Sequence, residues 1–234
     1  MEKPPKPLRI KELADAAALD DESPTIRVLD NLWLSWVIIA AQQAGIACAA
    51  RERSVRDASE MGTAIGDEFA ASLVAVTSSA FSLEALSNYF REHLGVVIAD
   101  EVTRARKAES ESGRVPAFAR VVDAIRTGSH HEGLRSEDWE ADVEHLFDLR
   151  NDVVHFRAEW HGTTPHPNGQ TNVSPSHAVY AAEVAARSVD LAIDTIAACL
   201  QRPRPECSEV VTWAESMPHM PPYLDEIRAT AHPT

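Results

Sequence analysis

Asn31 to Ala50 is a run of twenty residues without one charge, and it limits the folds open to this chain. As a helix the run would be about 30 Å long, close to the apolar thickness of a bilayer. Gln42 and Gln43 fall at its middle, and alanine is only weakly apolar on insertion scales. The run therefore reads as a buried helix that also packs a partner, and no membrane association is expected. Alanine is abundant along the whole chain, glycine is scarce at nine of 234 residues, and β-branched alternation is rare. An all-α fold is expected: a bundle of about four long helices with a short helical insertion.

Punctuation sets the expected elements. Residues 1–25 read as an N-terminal tail with one short helix around Ile10–Leu19, and the helical domain runs over 26–201. Ser23-Pro24 is a helix start, with serine as cap and proline at the first helical position, for a helix reaching about Glu60. A second helix spans Ile65–His93, with Gly95 as its stop. In it Leu73, Val76, Ala80, Leu83, Ser87 and Phe90 recur at spacings of three and four and mark a buried face. Ser72, Ser78, Ser79 and Ser82 keep that helix slim. An insertion at about 99–135 holds weaker helices at Ile98–Ser110 and Pro116–Thr127. Ser136 caps the next helix, whose core stripe is Leu146, Leu149, Val153 and Phe156. Residues 157–174 read as a loop, and Ser174-Pro175 starts a last long helix that stops before Pro203. Residues 202–234, with six prolines, read as a tail with a short helix near Tyr223–Ala229.

The formal charge is −14, which repels polyanions at long range and argues against a general nucleic-acid coat. The segment 104–135 runs the other way, with seven Lys/Arg against four acids. Three cysteines without a CxxC spacing, and an N-terminus without an apolar core, fit a reducing cytoplasm. No glycine-rich phosphate loop is present, and no cofactor is expected.

Residues 147–156, Phe-Asp-Leu-Arg-Asn-Asp-Val-Val-His-Phe, hold the chemistry. A permanent cation (Arg150), a carboxamide (Asn151) and an imidazole (His155) lie within two helical turns. Cleavage of a phosphodiester beside a ribose hydroxyl needs those groups. His155 can take the 2′-OH proton near neutral pH, Arg150 can bind the phosphoryl oxygens as charge grows on them, and Asn151 can orient either. On an ideal helix Asn151 and His155 share a face, whereas Arg150 and His155 stand about 140° apart. A purely structural role is the competing reading, with Arg150 paired to Asp148, Asp152 or Glu84.

Two stretches resemble the HEPN family (higher eukaryotes and prokaryotes nucleotide-binding domains). The first is Leu149-Arg-Asn-Asp-Val-Val-His155-Phe156. The second is Ser78-Ser-Ala-Phe-Ser-Leu-Glu84-Ala-Leu-Ser-Asn88-Tyr-Phe90, similar to the earlier helix of several HEPN subfamilies. The resemblance covers about residues 26–201 and implies a helical bundle that forms a homodimer, with the motif helices meeting at a cleft. It implies a metal-independent endoribonuclease whose composite site uses Arg150, Asn151 and His155, with Glu84 and Asn88 supporting them. Arg157 and Trp160 just past the motif are candidates for substrate contact, Trp160 by stacking on an RNA base. RNA is the implied substrate, and an antitoxin or defence-system protein would be a natural partner.

His155, His161 and His166 share one loop region, with His130 and His131 as outside candidates, but zinc spacing is lacking and no metal is expected. The absence of a Gly-x-Ser-x-Gly elbow speaks against a serine hydrolase. Trp33, Trp36, Trp139 and Trp213 are expected as core or interface anchors. Besides the ribonuclease, two other functions suit the same residues: a non-catalytic dimer that binds a nucleotide or a protein, and a scaffold in which Arg150 is held by an internal ion pair.

Overall fold

The computed structural model describes residues 32–233, except 99, 110–112, 155–161, 168 and 170. The described residues form nine α-helices, one 3-10 turn and one two-stranded ribbon. The compact unit is Asn31–Thr234. The expected N-terminal tail, its short helix and the Ser23-Pro24 start lie outside the described residues.

Helix α1 is Leu32–Arg56 and α2 is Met61–His93. α1 ends four residues before Glu60, because the Asp57 carboxylate accepts the Ser59 N–H at 2.8 Å and the Ser59 hydroxyl at 2.6 Å and turns the chain. The helices then run antiparallel: Trp36 meets Phe81 at 5.2 Å between ring centroids, and Arg53 meets Asp67 at 2.8 Å. Trp33, Val37, Ala40, Ala41, Ala44 and Ala47 face inward on α1. On α2 the expected stripe is buried at Val76, Ala80, Leu83, Ser87 and Phe90, with Leu73 half-buried. The four serines are buried as well, and Ser79 and Ser82 donate back to the carbonyls of Ala75 and Ser79 at 2.9 and 2.7 Å. Gly95 takes φ +63°, a conformation that glycine reaches without strain, and Val96 N–H returns to Phe90 O at 3.1 Å.

α3 is Asp100–Glu109, α4 is Ala117–Gly128 and the 3-10 turn is Glu132–Arg135. The stretch 99–135 is not an appendage on the bundle. Val121, Val122, Ala124 and Ile125 of α4 are almost wholly buried and join the main core. α5 is Glu137–Val154, followed by the ribbon β1 (Thr164–Pro165) and β2 (Asn172–Val173), antiparallel with Thr164 opposite Val173. Part of the expected loop is thus a short hairpin.

The expected last helix is two: α6, Pro175–Val179, and α7, Ala182–Gln201. The break follows from burial. Tyr180 turns inward, donates its hydroxyl to Leu149 O at 2.7 Å, and leaves helical geometry at φ −94°, ψ 59°. The expected C-terminal tail is also corrected. α8 (Ser208–Glu215) and α9 (Met220–Ala231) pack on the bundle, burying Val210, Trp213, Leu224, Ile227 and Ala231. Trp213 lies edge-on to Trp33 at 6.1 Å and to Phe90 at 5.2 Å.

α1 and α2 are the two described helices long and apolar enough to cross a membrane. Within their most apolar windows 33% and 56% of residues are buried inside the bundle, so α1 keeps the larger open apolar share. Its Leu32, Ile39 and Ile46, seven residues apart, are exposed.

Candidate functional site

Arg150 stands in the last described turn of α5, and the start of that helix is built to hold its register. Ser136 caps it as expected, its Oγ accepting Trp139 N–H at 3.1 Å and donating to Gly133 O at 2.9 Å. Glu137, Asp138 and Glu140 fill the first turn, where the helix dipole favours anions. Arg126 of α4 clamps the same end. Its Nε donates to Leu134 O at 2.8 Å, one Nη donates to Ser136 O at 3.2 Å, and the other pairs with Glu140. Burial alone would raise the Glu140 carboxyl, but the guanidinia of Arg126 and Arg106 hold it below its ordinary value. Arg106 also reaches Asp123 at 3.2 Å. Two cations of the basic 104–135 segment are therefore spent on structure.

α5 buries Trp139, Val143, Leu146, Phe147 and Leu149. Leu146 and Leu149 of the expected stripe are inside, Val153 is half-buried against the core, and Phe156 lies outside the described residues. This orientation leaves Arg150 at the seam with α2, its side chain 21% exposed. One Nη donates to Glu84 Oε2 at 3.2 Å and the other to Asn151 Oδ1 at 3.0 Å. The guanidinium carbon lies 5.1 Å from the Phe81 ring centre and 6.0 Å from that of Phe147. Nε is buried without a hydrogen-bond partner. Of the three acids that the sequence offered to Arg150, Glu84 is the one it meets, while Asp148 and Asp152 point to solvent.

Asn151 is thus set to orient the arginine. Asn88, one turn beyond Glu84, is exposed and makes no hydrogen bond to Arg150. His155, Arg157 and Trp160 lie outside the described residues, as do His161 and Phe156. The structure therefore brings together Arg150, Asn151 and Glu84. It adds Phe81 and Phe147, which the motif reading passed over. A signal for both was present, since Phe81 precedes Glu84 and Phe147 precedes Arg150 by three residues, on the same helix faces.

A second polar cluster was not singled out from sequence. Glu68, 1% exposed, accepts the Ala182 N–H at the start of α7 at 2.9 Å. Its carboxylate lies 3.7 Å from Arg51 and 3.6 Å from His166 of the hairpin. Burial raises the Glu68 carboxyl above its ordinary range despite these partners. His177 stacks on Phe69 at 4.0 Å, and burial lowers its titration. Among the described residues no three His, Cys, Asp or Glu side chains gather as a metal site.

No family model, no curated protein and no solved structure matches this chain. What the fold and the cluster define is a helical bundle with a half-buried guanidinium, that of Arg150, flanked by two aromatic rings at the seam of two long helices.

Proposed function

We propose that this chain is a HEPN-type, metal-independent endoribonuclease that works as a homodimer. The observation that carries the reading is the poise of Arg150. Glu84, Asn151 and two aromatic rings fix its guanidinium, while only one N–H of each Nη is spent. A fork held this way can receive two phosphoryl oxygens with little further loss of entropy. In the proposed reaction His155 takes the 2′-OH proton and the alkoxide attacks the adjacent phosphorus. Arg150 stabilises the charge on the equatorial oxygens, and the 5′-oxygen leaves as it gains a proton. The products are a 2′,3′-cyclic phosphate and a 5′-hydroxyl.

The proton for the leaving oxygen comes from a second copy, which places its own motif at the cleft. The open side of α1 supports that pairing. In a chain of charge −14 it offers an uncharged surface through Leu32, Ile39 and Ile46. Through the Trp36–Phe81 contact this surface leads to the ring beneath Arg150. An activity of this kind suits a toxin or an antiviral effector held in check by a partner protein in the cytoplasm.

The Arg150–Glu84 pair and the acidic charge also favour a second reading, a non-catalytic dimer that binds a nucleotide or a protein at the same seam. One experiment separates the two. A mixed RNA pool is incubated in EDTA with wild type, His155→Ala and Arg150→Ala. The ribonuclease predicts cyclic phosphate ends from wild type and a loss of about 10²–10⁴ in rate for each variant. Cleavage that persists in both variants would sink it. No cleavage by a folded wild type, together with nucleotide binding that Arg150→Ala weakens, would establish the second reading.

A further inference from the structure

A groove of about 740 Å³ lies between the C-terminal half of α1 and the N-terminal half of α7, with His232 and Pro233 also on its lining. No member of the Arg150 cluster lines it. Its floor is small and apolar, formed by Cys48, Ala182 and Ala186. Burial, with the carboxylates of Glu183 and Glu68 nearby, pushes the Cys48 thiol up. Cys48 therefore offers the groove a soft neutral surface rather than a nucleophile.

The rim is charged, and its acids are already satisfied. Arg56 donates to Glu52 at 2.7 Å, Arg51 pairs with Glu183, and Asp190 meets His232 at 3.1 Å and Arg228 at 3.6 Å. Arg187 is different: it is exposed on the rim and has no ion-pair partner among the described residues. With three arginines and three carboxylates on the lining, Arg187 is thus the rim cation still open to a ligand's charge.

We propose that this groove binds a small organic monoanion with an apolar body, the class of medium-chain carboxylates and aryl sulfonates. The head group sits on Arg187, and the body lies along Cys48, Ala182 and Ala186. The volume is that of sites for such molecules, and an apolar floor with one orienting polar group is their usual construction. A second negative charge is disfavoured, since Glu52, Glu183 and Asp190 ring the rim and one guanidinium offsets only one charge.

The test titrates the full chain with an anilinonaphthalene sulfonate, followed by fluorescence, with decanoate as competitor. One binding site, displaced by decanoate, is expected. Arg187→Ala should weaken binding about tenfold, the cost of one charge-assisted contact, and Ala186→Trp should fill the floor and abolish it. Ile39→Asp, on the open face of α1, should leave the titration unchanged. Full affinity in Arg187→Ala, an exposed position that does not endanger folding, overturns the proposal, as does loss of binding in Ile39→Asp.

Discussion

Glu68 shows how one side chain can couple distant parts of a chain. α7 has no cap of its own: Ala181 occupies the capping position without a side-chain bond, and the acceptor comes from α2, 114 residues earlier. That acceptor is a carboxylate out of water, facing Arg51, His166 and Glu183, and one of its oxygens lacks a hydrogen-bond partner. Because the folded value is raised, the folded state favours the protonated acid. Its contribution to stability is complete below the ordinary value of 4.5 and is lost as pH rises through the raised value. Glu68→Gln keeps an acceptor for Ala182 and removes the charge. Thermal melts of the two proteins should coincide near pH 4 and separate in favour of Glu68→Gln as pH rises to 8; curves that stay parallel would refute this account. Glu68→Ala leaves the Ala182 N–H buried and unpaired, at a cost of about 1–3 kcal/mol. The sequence could not show this, because a glutamate among Gly-Asp-Glu-Phe looks like any exposed acid. Arg150 is the contrasting case. Its ion pair with Glu84 joins two stretches that the motif resemblance had already brought together.

Among elements, α5 separates what is legible from what is not. Its cap is local: serine followed by two acids marks a helix start wherever it occurs, and Ser136 does accept Trp139 N–H. Ser136→Ala should cost about 1 kcal/mol. The clamp by Arg126 could not be read, because its acceptors Leu134, Ser136 and Glu140 lie 8 to 14 residues away across a turn. Arg126→Met removes a donor from those carbonyls and leaves Glu140 to Arg106 alone. The group is partly exposed, so the loss should be about 1–2 kcal/mol in denaturant titration. Both act on Ser136, the cap through its hydroxyl and the clamp through its main-chain carbonyl, so the double variant should cost less than their sum. A fully additive double variant would show that cap and clamp act separately. The same contrast holds for α6 and α7. Ser174-Pro175 marks a start, but the break at Tyr180 is imposed by a buried hydroxyl seeking Leu149 O, which no local pattern encodes.

At the scale of the molecule, the C-terminal residues are the main departure from the sequence reading. Six prolines in 202–234 suggest an extended tail, yet Pro221 and Pro222 fall in the first turn of α9, where a missing N–H costs nothing. Pro203 bridges to Ser129. α9 comes so close to α1 that any side chain at Gly45 would collide with the Thr230 carbonyl. Trp213→Ala should cost roughly 3–5 kcal/mol, since the ring fills the space between Trp33 and Phe90. The open face of α1 carries the opposite expectation. Leu32, Ile39 and Ile46 contribute little to the core, so charges there leave the monomer intact. If two copies meet on this face, Ile39→Asp with Ile46→Asp places four carboxylates in an apolar interface. At about 2 kcal/mol for a central contact, dimer dissociation should rise by thirtyfold or more. Sedimentation of wild type and of the double variant decides the matter. A wild-type dimer that becomes a folded monomer with lost RNA cleavage places the second motif across this face. A wild-type monomer that still cleaves RNA means that one chain holds the complete site, and the composite arrangement is then wrong.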